Sequence, residues 1–346
     1  MKCFVALDKL RPGDTVAVVS PSAGLPGLFP WVQDAGLEQL RQQFGLVPVE
    51  YPSTRQMGAS YAERARDVMA AFANPDVKAV LSSVGGDDEI GLIKYLDPAV
   101  FLTHPKPYFG YSDNTNLHNF LWNLGIPSFY GCSTLVQLAM PGGMHDLTVR
   151  SLCQALFGGG DYEVEASAEY TDIDLDWADP ANLDRPRLME PNSGLYWDGE
   201  GEATGILWGG CCESLFELVA AGQHLPADED LGGAVFFMET SQLIPEPFLV
   251  RDLLTAFGER GWLSRFSAIL VGRPKAWEFS KPNDAAAKAA YRQTQRETVI
   301  KAVRAYNPRI PIVQNLDFGH TDPQIIIPNG GQAKISTAQR RIVLSY

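Results

Sequence analysis

Thr15-Val16-Ala17-Val18-Val19-Ser20-Pro21-Ser22-Ala23-Gly24 is the stretch that decides the fold class. The first five residues, four of them apolar and three of them valine, read as a buried strand. The Ser-Pro-Ser-Ala-Gly run that follows reads as a loop, and residues near 32–44, ending at Gly45, read as a helix. The unit returns with a helix near 61–74, a strand near 78–84, the Gly85-Gly86 turn and a helix from Asp88. It returns again after Tyr108-Phe109-Gly110-Tyr111. Apolar strands alternating with helices predict a mostly parallel sheet covered on both faces, with ligands beyond the carboxyl ends of the strands. This α/β domain is expected over residues 1–160.

From Gly158 to Gly201 the composition turns to Asp, Glu, Pro and Gly with little helical periodicity, so residues 161–200 read as a linker. Beyond it, strands are expected near 203–208, 233–238, 267–271, 311–314 and 340–345. Helices are expected near 213–221, 247–258 and 284–305. Together they predict a second, smaller, mixed α/β domain over residues 201–346.

Composition narrows the function classes. The chain has 346 residues, 45% hydrophobic and 20% charged, far from the signature of disorder. With 41 acidic and 28 basic residues its net charge is -13, and no run of Lys or Arg offsets this locally, which argues against nucleic acid as a partner. No window approaches 18 uninterrupted apolar residues, and the charges in Met1-Lys2-Cys3-Phe4-Val5-Ala6-Leu7-Asp8 arrive before a signal-peptide core can form. A cytoplasmic protein without a membrane partner is expected. Its five cysteines (Cys3, Cys132, Cys153, Cys211 and Cys212) include no C-x-x-C pair, so neither a disulfide framework nor a metal site is expected.

Four places carry residues suited to chemistry. Phe109-Gly110-Tyr111-Ser112-Asp113-Asn114-Thr115 puts a serine between an apolar strand and a helix start, which is half of a nucleophile elbow, because Asn114 stands where a second glycine belongs. A helix cap by Ser112 or Asp113 is the alternative. Val84-Gly85-Gly86-Asp87-Asp88 follows a strand and lets backbone approach a ligand closely, or is an ordinary turn. His320 lies in a glycine- and proline-marked loop, Asp317-Phe318-Gly319-His320-Thr321-Asp322-Pro323. Glu239 ends the apolar run from Ala234, where a carboxylate either orients an imidazole or lies at the surface.

In combination these stretches resemble the LD-carboxypeptidase family of serine peptidases across nearly the whole chain. The stretches that carry the resemblance are Val19-Ser20-Pro21-Ser22, Gly85-Gly86, Gly110-Tyr111-Ser112-Asp113, Gly205-Ile206-Leu207-Trp208-Gly209-Gly210, Phe237-Met238-Glu239-Thr240 and Phe318-Gly319-His320-Thr321-Asp322-Pro323. The resemblance implies a Ser-Glu-His triad of Ser112, Glu239 and His320, with backbone N–H groups of Gly86 and Asp113 as oxyanion hole and no cofactor. Trp197 and the Thr321-Asp322-Pro323 extension look more like the branch that confers immunity to microcin C-type peptidyl nucleotides. Asp87 and Cys211 depart from the family pattern, which more often has an aromatic residue and an asparagine there.

The resemblance therefore implies hydrolysis of the amide or acyl linkage of a peptidyl or aminoacyl nucleotide, with Gly85 and Trp197 contacting substrate and Trp197 stacking on the base. Murein tetrapeptide LD-carboxypeptidase activity and a catalytically silent small-molecule binding protein are the alternatives. A remote rival is an amidotransferase-like hydrolase using Cys132 in Tyr130-Gly131-Cys132-Ser133. A homodimer is expected, and Arg251 or Arg273 is a candidate to hold a substrate carboxylate.

Overall fold

The computed structural model of the protein describes residues 2–346; Met1, where the expected first domain begins, lies outside the described residues. The amino-terminal half runs β1 (Thr15–Val19), α1 (Pro30–Phe44), β2 (Val47–Glu50), α2 (Tyr61–Ala73), β3 (Val77–Ser82), α3 (Ile90–Ile93), α4 (Pro98–Thr103), β4 (Tyr108–Gly110), α5 (Thr115–Asn123), β5 (Ser128–Tyr130) and α6 (Asp146–Leu156). Strands β1 to β5 are parallel, in the spatial order β5-β4-β3-β1-β2. The order reverses between β1 and β3, so the loops after those strands diverge and open a crevice. The expected helix from Asp88 shrinks to the single turn of α3, because the backbone N–H groups of Asp88 and Glu89 bond the Asp113 carboxylate instead.

The segment expected as a linker is structured. It supplies β6 (Asp161–Glu163), β7 (Glu169–Tyr170), β8 (Glu190–Pro191) and β9 (Tyr196–Asp198). Then follow β10 (Glu202–Cys211), α7 (Cys212–Ala221), β11 (Val235–Glu239), α8 (Pro247–Glu259), β12 (Ala268–Gly272), α9 (Ala285–Arg304), β13 (Ile312–Leu316), β14 (Ile327–Asn329), β15 (Gln332–Ser336) and β16 (Arg341–Ser345). Eight of these strands form one sheet in the order β6-β16-β15-β10-β11-β12-β13-β9, parallel from β10 to β13 and antiparallel at both flanks. Strand β14 leaves this half and pairs antiparallel with β5, adding a sixth strand to the first sheet.

Packing explains why the halves stay together. One face of the large sheet buries Trp208, Phe236, Phe257 and Trp262 under the second half's helices. Its other face shares a core with the first half, in which Tyr111 and Tyr130 meet Phe237, Phe318 and Ile327. Each such side chain contributes roughly 1.5–3 kcal/mol when fully buried. Helix α5 is fastened to β10 by two indoles: Trp122 Nε1–H donates to the Leu207 carbonyl at 3.1 Å and Trp208 Nε1–H to Asn119 Oδ1 at 2.8 Å. The carboxyl ends of β3, β4 and β11 are thereby held around one place.

Candidate active site

Ser112 follows β4 on a tight turn and has φ +65°, a left-handed conformation that costs a residue with a Cβ roughly 1–2 kcal/mol. Hydrogen bonds on both sides keep the strained peptide in place. The Ser112 N–H donates to Tyr130 Oη at 3.0 Å, and Thr115 Oγ1 donates to the Ser112 carbonyl at 2.6 Å. The turn presents Ser112 Oγ to His320, whose Nε2 lies 3.0 Å away. His320 Nδ1 lies 2.7 Å from Glu239 Oε2 at the end of β11. With the carboxylate on Nδ1, the imidazole carries its proton there and leaves Nε2 to accept from the serine hydroxyl.

Glycines give this chain of contacts its room. A Cβ on Gly319, which has φ +95°, would lie 2.6 Å from Glu239 Oε2, so only glycine lets the His320 loop pass so close to the carboxylate. A Cβ on Gly85 would lie 2.9 Å from the Ser112 Cβ, which places the Gly85-Gly86 backbone directly against the elbow.

Asp113 secures that loop. Its carboxylate accepts from the Ser22 hydroxyl, from the Asp88 N–H at 3.0 Å, from the Glu89 N–H at 2.9 Å and from Asn116 Nδ2–H at 2.9 Å. Burial pushes its carboxyl up from the usual range against the pull of the Ser22 hydroxyl and the two backbone donors. Among the described residues no protein acceptor takes the N–H of Gly86 or Asp113. Both are available for an oxyanion.

A cavity of about 330 Å³ opens in front of Ser112 and His320. Gly85 and Gly86 line it, but Trp197 does not. Trp197 sits in β9, opposite Val313 of β13, and packs, partly buried, against the core that the two halves share. Its expected place in an open loop is thereby corrected: pairing along β13 turns the indole toward that shared core. The cavity's tryptophan is Trp177, which meets Phe29 edge-to-face at 5.5 Å and whose carbonyl accepts from Trp31 Nε1–H at 2.8 Å.

Both arginines named for a substrate carboxylate are also elsewhere. Arg251 is exposed on α8 and pairs with Asp252 at 2.7 Å, while Arg273 is buried beside Asp317 at 2.7 Å; neither lines the cavity. Arg187 and Lys275 do. Arg187 pairs with Asp322 at 2.6 Å and Asp174 at 2.8 Å, and Lys275 shares Asp174. Trp177, Asp174 and Arg187 all come from the segment read as a linker, so only its density of charged and aromatic residues could have pointed to them.

Cys132 has φ +64°, yet its thiol is buried and its N–H donates to Gln324 Oε1 at 2.6 Å. Burial pushes the thiol well up, with the Asp322 charge adding to it, so it is a poor nucleophile. Among the described residues no group of three or more His, Cys, Asp or Glu is arranged to hold a metal, and no helix is long and apolar enough to cross a membrane.

Residues 16–131 match the LD-carboxypeptidase N-terminal domain and residues 204–335 match the LD-carboxypeptidase C-terminal domain. A putative carboxypeptidase of Bacillus subtilis is 28% identical over 94% of this chain and 94% of its own. The microcin C7 self-immunity protein MccF of Escherichia coli is 24% identical over 97% and 94%. MccF solved in complex with aspartyl sulfamoyl adenosine matches with TM-score 0.83 at 23% identity, over 99% of this chain and 98% of that one. An MccF-like protein of Streptococcus pneumoniae, solved in complex with AMP, matches with TM-score 0.82 at 25% identity, over 96% and 99%.

Proposed function

The chain belongs to the LD-carboxypeptidase family of serine peptidases, and on that premise we propose that it hydrolyses the acyl linkage of aminoacyl or peptidyl nucleotides through Ser112, His320 and Glu239. The observation that carries the reading is the continuous line from Ser112 Oγ to His320 Nε2 at 3.0 Å and from His320 Nδ1 to Glu239 at 2.7 Å, at the head of a cavity walled by Trp177 and Phe29.

In the proposed reaction His320 Nε2 takes the hydroxyl proton as Ser112 Oγ bonds to the substrate carbonyl carbon. The N–H groups of Gly86 and Asp113 hold the oxyanion. His320 returns the proton to the nucleotide-side leaving group as the acyl bond breaks. Water then attacks the acyl-Ser112 ester by the same proton path and frees the acid and the enzyme. Glu239 holds the imidazole's orientation and stabilises its cation. A silent binding protein has no need of this alignment.

Trp177 takes over the base-stacking role first given to Trp197, and such a contact is worth roughly 1–3 kcal/mol per base. Lys275 and Arg187 supply cationic groups for the anionic linker in a chain of net charge -13. The kcat/KM for aspartyl sulfamoyl adenosine and for a murein tetrapeptide ending in D-alanine, on wild type and Trp177→Ala, tests the substrate. Preference for the nucleotide, lost selectively in the variant, is expected; faster cleavage of the murein peptide sinks the nucleotide reading in favour of the muropeptide one. The same reading keeps the expected cytoplasmic location and homodimer, tested by cell fractionation and sedimentation.

A further inference from the structure

Tyr130 ends β5, is fully buried, and joins two parts of the proposed machinery that come from different halves of the chain. Its Oη accepts the Ser112 N–H at 3.0 Å and donates to Glu239 Oε1 at 2.6 Å. The second bond leaves Oε2 as the oxygen that faces His320. Burial and the Glu239 charge hold the phenol well above its ordinary pKa, so it remains a neutral donor. Its ring is braced by Phe237 at 5.3 Å and by His118 at 5.3 Å, and burial lowers His118 to about 4, which keeps that neighbour uncharged. The ring packing alone would suit a phenylalanine. What the hydroxyl adds is one oxygen that grips the strained elbow peptide and fixes which carboxylate oxygen serves the imidazole.

From this geometry we infer that Tyr130 is a positioning residue of the hydrolase, one that sets the proton affinity of His320 through Glu239 and holds Ser112 at the imidazole. The inference rests on the Ser-His-Glu reading above. Removing the hydroxyl leaves more of the Glu239 charge for His320, stabilises the imidazolium and moves the acid limb of reactivity to higher pH. The other titratable or charged groups around the Glu239–His320 pair or Tyr130 are Tyr111, Cys211, Cys212, Glu213 and the ion-paired cluster of Asp174 and Asp322 with Arg187 and Lys275. None of them is altered by the substitution, so a shift reports on Tyr130.

The test is the rate at which a fluorophosphonate labels Ser112 of the full chain between pH 5 and pH 9, which needs no knowledge of the substrate. For Tyr130→Phe the plateau rate is expected to fall about tenfold to a hundredfold, as for a catalytic group misplaced by a fraction of an ångström. The acid limb is expected about half a pH unit to one unit higher, a part of what a hydrogen bond to a charged group is worth. Placing 3-fluorotyrosine at position 130 strengthens the donor and should move the limb the other way, and it serves alone if the phenylalanine variant does not fold. An unmoved acid limb in the variants overturns the inference, whether or not the rate falls. Failure of the wild type to label at Ser112, or equal labelling of Ser112→Ala, instead overturns the serine-hydrolase reading.

Discussion

Gly319→Ala is the sharpest test of the site's construction. The added methyl would stand 2.6 Å from Glu239 Oε2 and 2.7 Å from the Glu239 Cβ. An ordinary contact needs roughly 3.5 Å, so carboxylate and loop must separate by close to an ångström. Glu239 has little room to yield, because its Cβ already lies 2.9 Å from where a Cβ on Gly272 would stand and its Oε1 is held by Tyr130. The 2.7 Å contact with His320 is therefore what gives way. Misplacement of about 1 Å costs roughly 10²-fold, and losing the oriented carboxylate costs up to about 10⁴-fold in comparable triads, so kcat should fall within that range.

Alanine at φ +95° also adds backbone strain of roughly 1–2 kcal/mol. Gly13 separates the two effects, since it has φ +94° and nothing within 4 Å of its missing Cβ. Gly13→Ala should lower Tm by a few degrees and leave the rate alone, whereas Gly319→Ala should lower both. Steady-state hydrolysis and circular-dichroism melting on the pair decide it. A Gly319→Ala enzyme within threefold of wild-type rate would refute the geometry described for Glu239.

Other outcomes follow from the same contacts. Ser112→Ala should remain folded and lose several orders of magnitude in hydrolysis, because the acyl-enzyme needs that oxygen. Asp322→Ala leaves the buried Arg187 guanidinium with Asp174, 34% exposed, as its remaining ion-pair partner and should destabilise the fold by up to about 3–5 kcal/mol in urea titration. Burial and the nearby Asp113, Asp87 and Glu213 charges push Glu217 up to about 7. The folded state therefore keeps that proton after the unfolded chain has lost it, and its contribution to stability wanes as pH rises from about 4.5 to about 7. Glu217→Gln should accordingly raise Tm more at pH 8 than at pH 5; an equal change at both would refute the shift. Iodoacetamide should leave hydrolysis intact, because burial pushes the thiols of Cys132, Cys211 and Cys212 up and shields them; inactivation traced to Cys132 would contradict this.

Local chemistry made much of the molecule legible from the chain alone. The Thr15–Val19 run is β-branched and apolar because its strand is covered on both faces, and the runs that became β11 and β12 are apolar for the same reason. Ser112, Glu239 and His320 stood out as candidates because each stands at a strand end or in a glycine-marked loop, while their union in a triad was implied by the family resemblance. What only the tertiary structure decided depends on contacts between residues far apart in sequence. Strand β14 crosses to β5 because its short apolar segment finds an open edge there, which no periodicity announces. Trp197 and Trp177 are alike as letters in one polar segment, but register with Val313 turns the first into the sheet while the second meets Phe29 at the cavity. Tyr130 entered the sequence reading only as a neighbour of Cys132, and its place between Ser112 and Glu239 exists only once the two halves pack together. A side chain's partner across 109 positions of sequence is set by packing, and packing has no local signature.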